Sequence, residues 1–266
     1  MRFLDIYKPI IGVVHLKPLP GAPGYHGSFE EIIESALSDA TKLVEGGVDA
    51  LIVENYGDKP YKIRVREVET LASIAIITRE IIKSVNVPVG VSILRNSGPE
   101  ALCIAEVSGA KFIRVNGYCE VLVSPEGIIE PVAREVLEVK RKLFSNVMIC
   151  ADINVKHAKP LVDMNAEDVI RDCCERCKAD ALIVTGERTG LEPTPQAVLK
   201  VKKISTVPVL VGSGMTTDNI DRYVNIADGF IIGSYFKVKG KTENPVSLSR
   251  VEKFIKHYKR LIKERV

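Results

Sequence analysis

The residues that could do chemistry in this 266-residue chain share one position: each follows a short apolar run. His15 closes Ile10-Ile11-Gly12-Val13-Val14, and Glu54-Asn55 close Ala50-Leu51-Ile52-Val53. Asn96 and Asn116 follow two further runs. Asp152, with Lys156 and His157 close behind, follows Val147-Met148-Ile149-Cys150-Ala151. Thr185-Gly186 follow Ala181-Leu182-Ile183-Val184. A carboxylate beside an amide or imidazole suits general acid–base work, and a desolvated lysine can form a Schiff base or hold a phosphate. Asp152 and Glu54 are therefore the expected general base and acid, or each other's orienters, with His15 polarising a carbonyl or shuttling a proton and Lys156 as the fourth catalytic candidate. Asn55, Asn96 and Asn116 are expected to bind substrate hydroxyls, and His157, Thr185 and Gly186 to complete the substrate-binding set.

Two further runs end in glycine and serine, Val207-Pro208-Val209-Leu210-Val211 before Gly212-Ser213-Gly214 and Asp228-Gly229-Phe230-Ile231-Ile232 before Gly233-Ser234. Glycines there permit positive φ and close backbone approach. Tandem Gly-Ser ends late in such a chain predict a phosphate site built from backbone N–H groups. Tight turns alone are the plainer explanation, and the tandem arrangement favours phosphate over it. Lys237 and Lys239, just beyond, are placed to assist an anion.

Eight apolar runs alternate with helical stretches, and no linker or shift of composition breaks the alternation. Runs with no polar alternation are strands buried on both faces, as parallel sheets require. Helices are expected over 28–45, opened by a Ser28/Glu31 capping box and closed by Gly46-Gly47, and over 67–85, 99–108, 131–144, 168–177, 193–205, 219–224 and 246–263. The last should pack Leu248, Val251, Phe254, Ile255, Tyr258 and Ile262 inward. Loop 118–130 reads as a hairpin or lid, and the Pro/Gly segment 17–24 as a structured loop. The expected fold is a single (β/α)8 TIM barrel over residues 1–266, near the roughly 250 residues typical of that architecture. A doubly wound sheet is the alternative; eight repeats favour closure.

The net charge of +3 is too small to argue for nucleic-acid binding. No apolar run approaches the roughly 20 residues of a membrane helix, and the N-terminus lacks the apolar core of a secretion signal, so a cytoplasmic location is expected. The six cysteines then read as free thiols. Cys174 and Cys177 form a C-x-x-C beside Cys173, but no second pair completes a zinc site, and core thiols are the expected reading. His15, Glu54, Asp152 and His157 could be metal ligands, yet no ligand spacing supports this, so no metal is assigned. Cofactor use is open, with none the expectation. The sequence is compatible with a homo-oligomer and does not fix one.

Four blocks carry a resemblance. Ile11-Gly12-Val13-Val14-His15-Leu16-Lys17-Pro18-Leu19-Pro20-Gly21-Ala22-Pro23 resembles the opening of the BtpA family. Ala151-Asp152-Ile153-Asn154-Val155-Lys156-His157-Ala158 and Gly212-Ser213-Gly214-Met215-Thr216 resemble later blocks. Asp228 to Lys237 is similar to the closing block, which usually carries Thr-Ser or Ser-Ser where Ser234-Tyr235 stands here. The resemblance spans essentially the whole chain and implies a barrel of the ribulose-phosphate-binding kind. The family takes its name from a cyanobacterial factor supporting photosystem I, other members lie among sugar-metabolism genes, and it has no settled reaction. Two functions therefore stand together. One is an enzyme performing isomerisation, epimerisation or aldol-type chemistry on a small phosphorylated sugar-like metabolite. The other is a non-catalytic assembly or stability factor for a membrane protein complex. Polar residues converging at strand ends favour the enzyme.

Overall fold

The computed structural model describes residues 1–153, 157–186 and 190–263. Eight parallel strands close into a barrel: β1 (Ile10–His15), β2 (Ala50–Glu54), β3 (Val89–Ser92), β4 (Phe112–Val115), β7 (Met148–Ile153), β9 (Ala181–Val184), β10 (Val209–Val211) and β11 (Gly229–Ile232). Around the ring the order is β1-β11-β10-β9-β7-β4-β3-β2, so chain neighbours are barrel neighbours. Among the described residues seven α-helices pack outside: α1 (Phe29–Glu45), α2 (Val68–Ser84), α3 (Gly98–Ser108), α4 (Ala133–Lys142), α5 (Ala166–Glu175), α6 (Pro195–Ile204) and α7 (Leu248–Lys263). The helix expected over 219–224 is a single 3-10 turn, Ile220–Arg222.

Side-chain parity explains the layers. Successive strand residues face opposite sides. Ile10 and Val14 pack outward among the helices, while Ile11 and Val13 belong to a separate cluster inside the barrel. Ile52, Phe112, Cys150, Ile183, Leu210 and Ile231 join that inner cluster, and Phe3 plugs it from the N-terminal side, edge-on to Phe112 at 5.4 Å. Gly90 makes room for this plug, since a Cβ there would stand 2.4 Å from the Phe112 ring. Counting two residues on from each inner apolar group gives His15, Glu54, Arg114, Asp152, Thr185, Gly212 and Gly233. The pattern of the strands thus aims these residues into the C-terminal mouth.

The helix boundaries follow their caps. Ser28 accepts from the Glu31 N–H, as the capping box predicts, and Thr194 accepts from the Ala197 N–H at the start of α6. Segment 118–130 does form a hairpin, β5 (Leu122–Ser124) with β6 (Gly127–Ile129). A third strand, β8 (Lys159–Pro160), adds to its other edge and makes a three-stranded sheet beside the mouth.

Two readings of the sequence are corrected. Cys173 is not a free core thiol: it forms a disulfide with Cys119, its Cα 5.8 Å away and 54 residues earlier in the chain. Cys174 and Cys177 are free, with the Cys174 sulfur 3.7 Å from the Ser205 hydroxyl. Lys237 does not face the anion corner. It is buried against Asp39 of α1, with Nζ to Oδ2 at 2.5 Å. Burial pushes its pKa below the ordinary lysine value despite that carboxylate.

Candidate active site at the barrel mouth

Arg114, at the end of β4, occupies the centre of the mouth. Its Nε and Nη2 each donate to a different oxygen of Asp152 on β7, both at 2.9 Å. The Asn116 amide donates to Asp152 Oδ2 at 2.8 Å, so the carboxylate accepts three hydrogen bonds. Parity puts Asn116 on the same inner face two residues beyond Arg114. The guanidinium reaches across the barrel: Nη2 lies 3.4 Å from where a Cβ on Gly212 would stand. Arg114 and Asp152 are both buried. Burial works against the guanidinium's charge, but Asp152 outweighs it, Glu54 adds to the attraction, and the pKa is held above its ordinary value.

Glu54 and His15 end adjacent strands in register. His15 Nε2 and Glu54 Oε1 stand 3.9 Å apart. Tyr56 meets the imidazole edge-on at 5.0 Å, and Lys59 lies over the Tyr56 ring at 3.7 Å. On its other side His15 rests against Gly233, where a Cβ would come within 2.7 Å of the ring. A Cβ on Gly212 would stand 2.5 Å from Ile183 and 3.0 Å from Thr185, so Gly212 leaves room for those two side chains and Gly233 for His15.

The glycine-serine corner is built differently from a bare turn. Ser213 Oγ accepts from the Gly186 N–H and donates to the Leu191 carbonyl, both at 2.8 Å. Gly214 has φ 73°, and a Cβ there would meet the Glu192 nitrogen at 2.2 Å. The backbone of 191–192 thus lies over β10's end, and a side chain at 214 would be excluded twice, by conformation and by contact. Gly214, Gly233 and Ser234 remain half-buried at this corner, and a Cβ on Gly190 would stand 3.9 Å from Ser234 Oγ.

The other asparagines are turned to the loops. Asn55 lies off the inward parity of β2; it donates to Asp58 and accepts from the Leu94 N–H at 2.7 Å. Asn96 donates to the carbonyls of Gly117 and Glu130 and accepts from the Gly117 N–H. Thr185 is buried at the end of β9. His157 is exposed with φ 60°, two residues before β8. Lys156 lies outside the described residues. Among the described residues no group of acidic, histidine or cysteine side chains has the arrangement of a metal site. Two surface hollows of about 640 and 610 Å³ lie away from the mouth, along α7 and beside α4.

Two arginines escaped the sequence reading. Arg114 interrupts Phe-Ile-Arg-Val, and a cation at an inward strand position was the available signal. Arg95, just after β3, is buried and donates from Nη1 to Asn116 Oδ1 at 3.1 Å. Its Nε stands 3.7 Å from Glu126 in the β5–β6 turn.

With this geometry in place, comparison with known proteins settles the family. The model of the BtpA family matches residues 6–260. The chain belongs to the BtpA family. BtpA-family relatives include an uncharacterised protein of Pyrococcus abyssi, 48% identical over 254 residues, covering 96% of this chain and 97% of the relative. The photosystem I biogenesis protein BtpA of Synechocystis is 39% identical over 250 residues, 94% of this chain and 87% of that one. Among solved structures, phosphoribosyl anthranilate isomerase from Thermus thermophilus superposes with a TM-score of 0.58 at 14% identity, over 95% of this chain and 99% of that one. That likeness is one of fold and accords with the closed eight-stranded barrel. Among the described residues, no BtpA-family helix here is long and apolar enough to cross a membrane.

Proposed function

We propose that the chain is an enzyme acting on a small phosphorylated, sugar-like metabolite by proton transfer, in an isomerisation, epimerisation or aldol-type reaction. The observation that carries this reading is the buried Arg114–Asp152 pair in the middle of the mouth, with Glu54 within its field. A buried ion pair contributes little net stability over apolar residues of similar volume. A preorganised guanidinium in a water-poor mouth is, by contrast, well suited to charge that develops on a substrate oxygen. An arginine offers five N–H donors, and Asp152 takes two of them.

In this reading Arg114 stabilises the oxyanion of an enolate or retro-aldol intermediate. Glu54 moves the proton, with His15 alongside to relay it. Asp152 and Asn116 are positioning residues that fix the guanidinium plane rather than the acid and base themselves. The corner of Gly212, Ser213, Gly214, Gly233 and Ser234 takes the phosphate, with Gly186 supporting Ser213. Asn55 and Asn96 hold the loops that frame the mouth. Calorimetric titration against a panel of sugar phosphates tests the reading. Binding in the roughly micromolar-to-millimolar range usual for metabolites, lost in Arg114→Met, is expected. Silence of the folded protein towards the whole panel would overturn it.

A second reading, an assembly factor, is favoured by the name of the Synechocystis relative and by exposed apolar side chains at the three-stranded sheet: Val123, Ile128, Leu161, Val162 and Met164. Complementation of a strain lacking the protein separates the two. Rescue by Glu54→Gln at the wild-type level would support assembly, and failure with normal protein abundance would support catalysis.

A further inference from the structure

Phe144 is out of place twice on the outer surface. Its side chain is 92% exposed, more than any other large apolar side chain among the described residues. Its backbone has φ 51°. Both facts follow from its position just past α4. The Phe144 N–H donates to the Arg141 carbonyl at 3.2 Å and the Ser145 N–H to the Lys140 carbonyl at 2.9 Å. This pair of bonds is a Schellman motif, whose left-handed residue is usually glycine because a Cβ there is disfavoured. Gly47 and Gly109 take that left-handed place after α1 and α3. Ending α4 requires only a glycine. The chain instead holds a large aromatic in a costly conformation with its ring in water.

Phe144 borders the hollow of about 610 Å³ beside α4, together with Arg64, Pro99, Glu135, Glu138 and Val139. Charge is sorted along that hollow. At the start of α4 three carboxylates outnumber two guanidiniums: Arg64 meets Glu100 at 2.7 Å and Glu135 at 2.5 Å, and Arg134 meets Glu138 at 2.5 Å. At the end of α4 stand Arg141 and Lys142, both exposed. Cations in a last turn also answer the helix dipole, which accounts for Arg141 and Lys142 but not for Phe144. A helix with an acidic start and a basic end complements a copy of itself running the opposite way. A two-fold axis across the helix produces that arrangement. With the axis beside Val139, position 138 faces 141 and position 135 faces 144. Glu138 then meets the partner's Arg141. The Phe144 ring falls at the far end of the partner's hollow, where a proline ring and a guanidinium both suit an aromatic face.

We infer that this face is the contact between two copies of the chain, related by a two-fold axis beside Val139, with Phe144 of each copy seated in the hollow of the other. The face lies outside the barrel, so the inference is independent of what the mouth binds.

Sedimentation velocity of the full chain over a series of concentrations tests it. Wild type should pass from monomer to dimer as concentration rises. Phe144→Gly should weaken the dimer by about 30-fold or more, the effect of losing a central aromatic anchor. Its thermal midpoint, compared at a concentration where both proteins are monomeric, should not fall, because glycine suits the left-handed position. Arg141→Glu should also weaken the dimer, and adding Glu138→Lys to it should restore association, since the exchange keeps the cross-axis pair. A wild type that stays monomeric at every concentration overturns the inference and leaves the face to a different protein. A dimer that Phe144→Gly leaves equally tight overturns it in favour of another face. Failure of Glu138→Lys to rescue Arg141→Glu overturns the two-fold arrangement.

Discussion

The Arg114–Asp152 pair permits a prediction that separates what the fold needs from what the site needs. Asp152→Asn removes the charge that offsets Arg114 and leaves its guanidinium buried beside a neutral amide. Removing one partner of a buried pair costs about 3–5 kcal/mol, because the remaining charge is uncompensated. Glu54, which also acts on Arg114, places the expectation towards the lower end of that range. For a chain of this size about 1 kcal/mol corresponds to roughly 2–4 °C in Tm, so a drop on the order of 6–15 °C should appear in differential scanning calorimetry. The double variant Arg114→Met/Asp152→Leu replaces both charges with apolar groups of similar volume. Its stability should return to the wild-type level or above it, since such replacements are often neutral or stabilising. Sugar-phosphate binding and turnover should nevertheless remain lost in the double variant. If binding returned together with stability, the pair would be scaffolding and the central role given to Arg114 would be refuted. A destabilisation of Asp152→Asn too small to measure would equally refute the claim that the pair is desolvated.

Further outcomes follow from particular contacts. Glu54→Gln should keep ligand binding and reduce turnover by about 10²–10⁴-fold, the usual contribution of a positioned acid or base, in assays of kcat against KM. Gly233→Ala should displace His15, because its Cβ would fall 2.7 Å from the ring, so turnover should drop with only a small fall in Tm. Reducing the Cys119–Cys173 disulfide, or replacing Cys119 with Ser, should lower stability by about 4 kcal/mol in the chain-entropy estimate for a loop of 54 residues. Asp228 gives a pH dependence of known sign. Burial would raise its pKa, but the bonds from Lys202, the Val209 N–H and the N-terminal amine lower it below the ordinary 3.8. Its contribution is therefore fully present above about pH 4 and is lost as pH falls through its lowered folded-state value. In acid denaturation, Asp228→Asn should flatten the part of the stability curve below pH 4; an unchanged slope would contradict this.

The barrel was legible in the sequence because its signal is local and repeated. Each strand is a short apolar run bounded by turn residues, and caps such as Ser28 and Thr194 mark the helices independently. The same local logic located the mouth, since strand ends carry the polar residues. It did not rank them. Parity could have told Glu54 from Asn55, as only one of two successive strand residues faces inward, and that rule also selects Arg114. Pairings between distant segments were beyond local pattern. Lys237 meets Asp39 across 198 positions, and Cys119 meets Cys173 because the loop after β4 reaches α5. The strand β8 was likewise hidden, for two residues paired to a hairpin carry no periodicity of their own.

The most direct measurement is a crystal structure with a sugar phosphate such as sorbitol 6-phosphate bound. The account predicts phosphate density at Gly214, Gly233 and Ser234, with the carbon chain crossing over Arg114 between Glu54 and Asp152. Ligand density in the hollows along α7 or beside α4, with the barrel mouth unaltered, would contradict it.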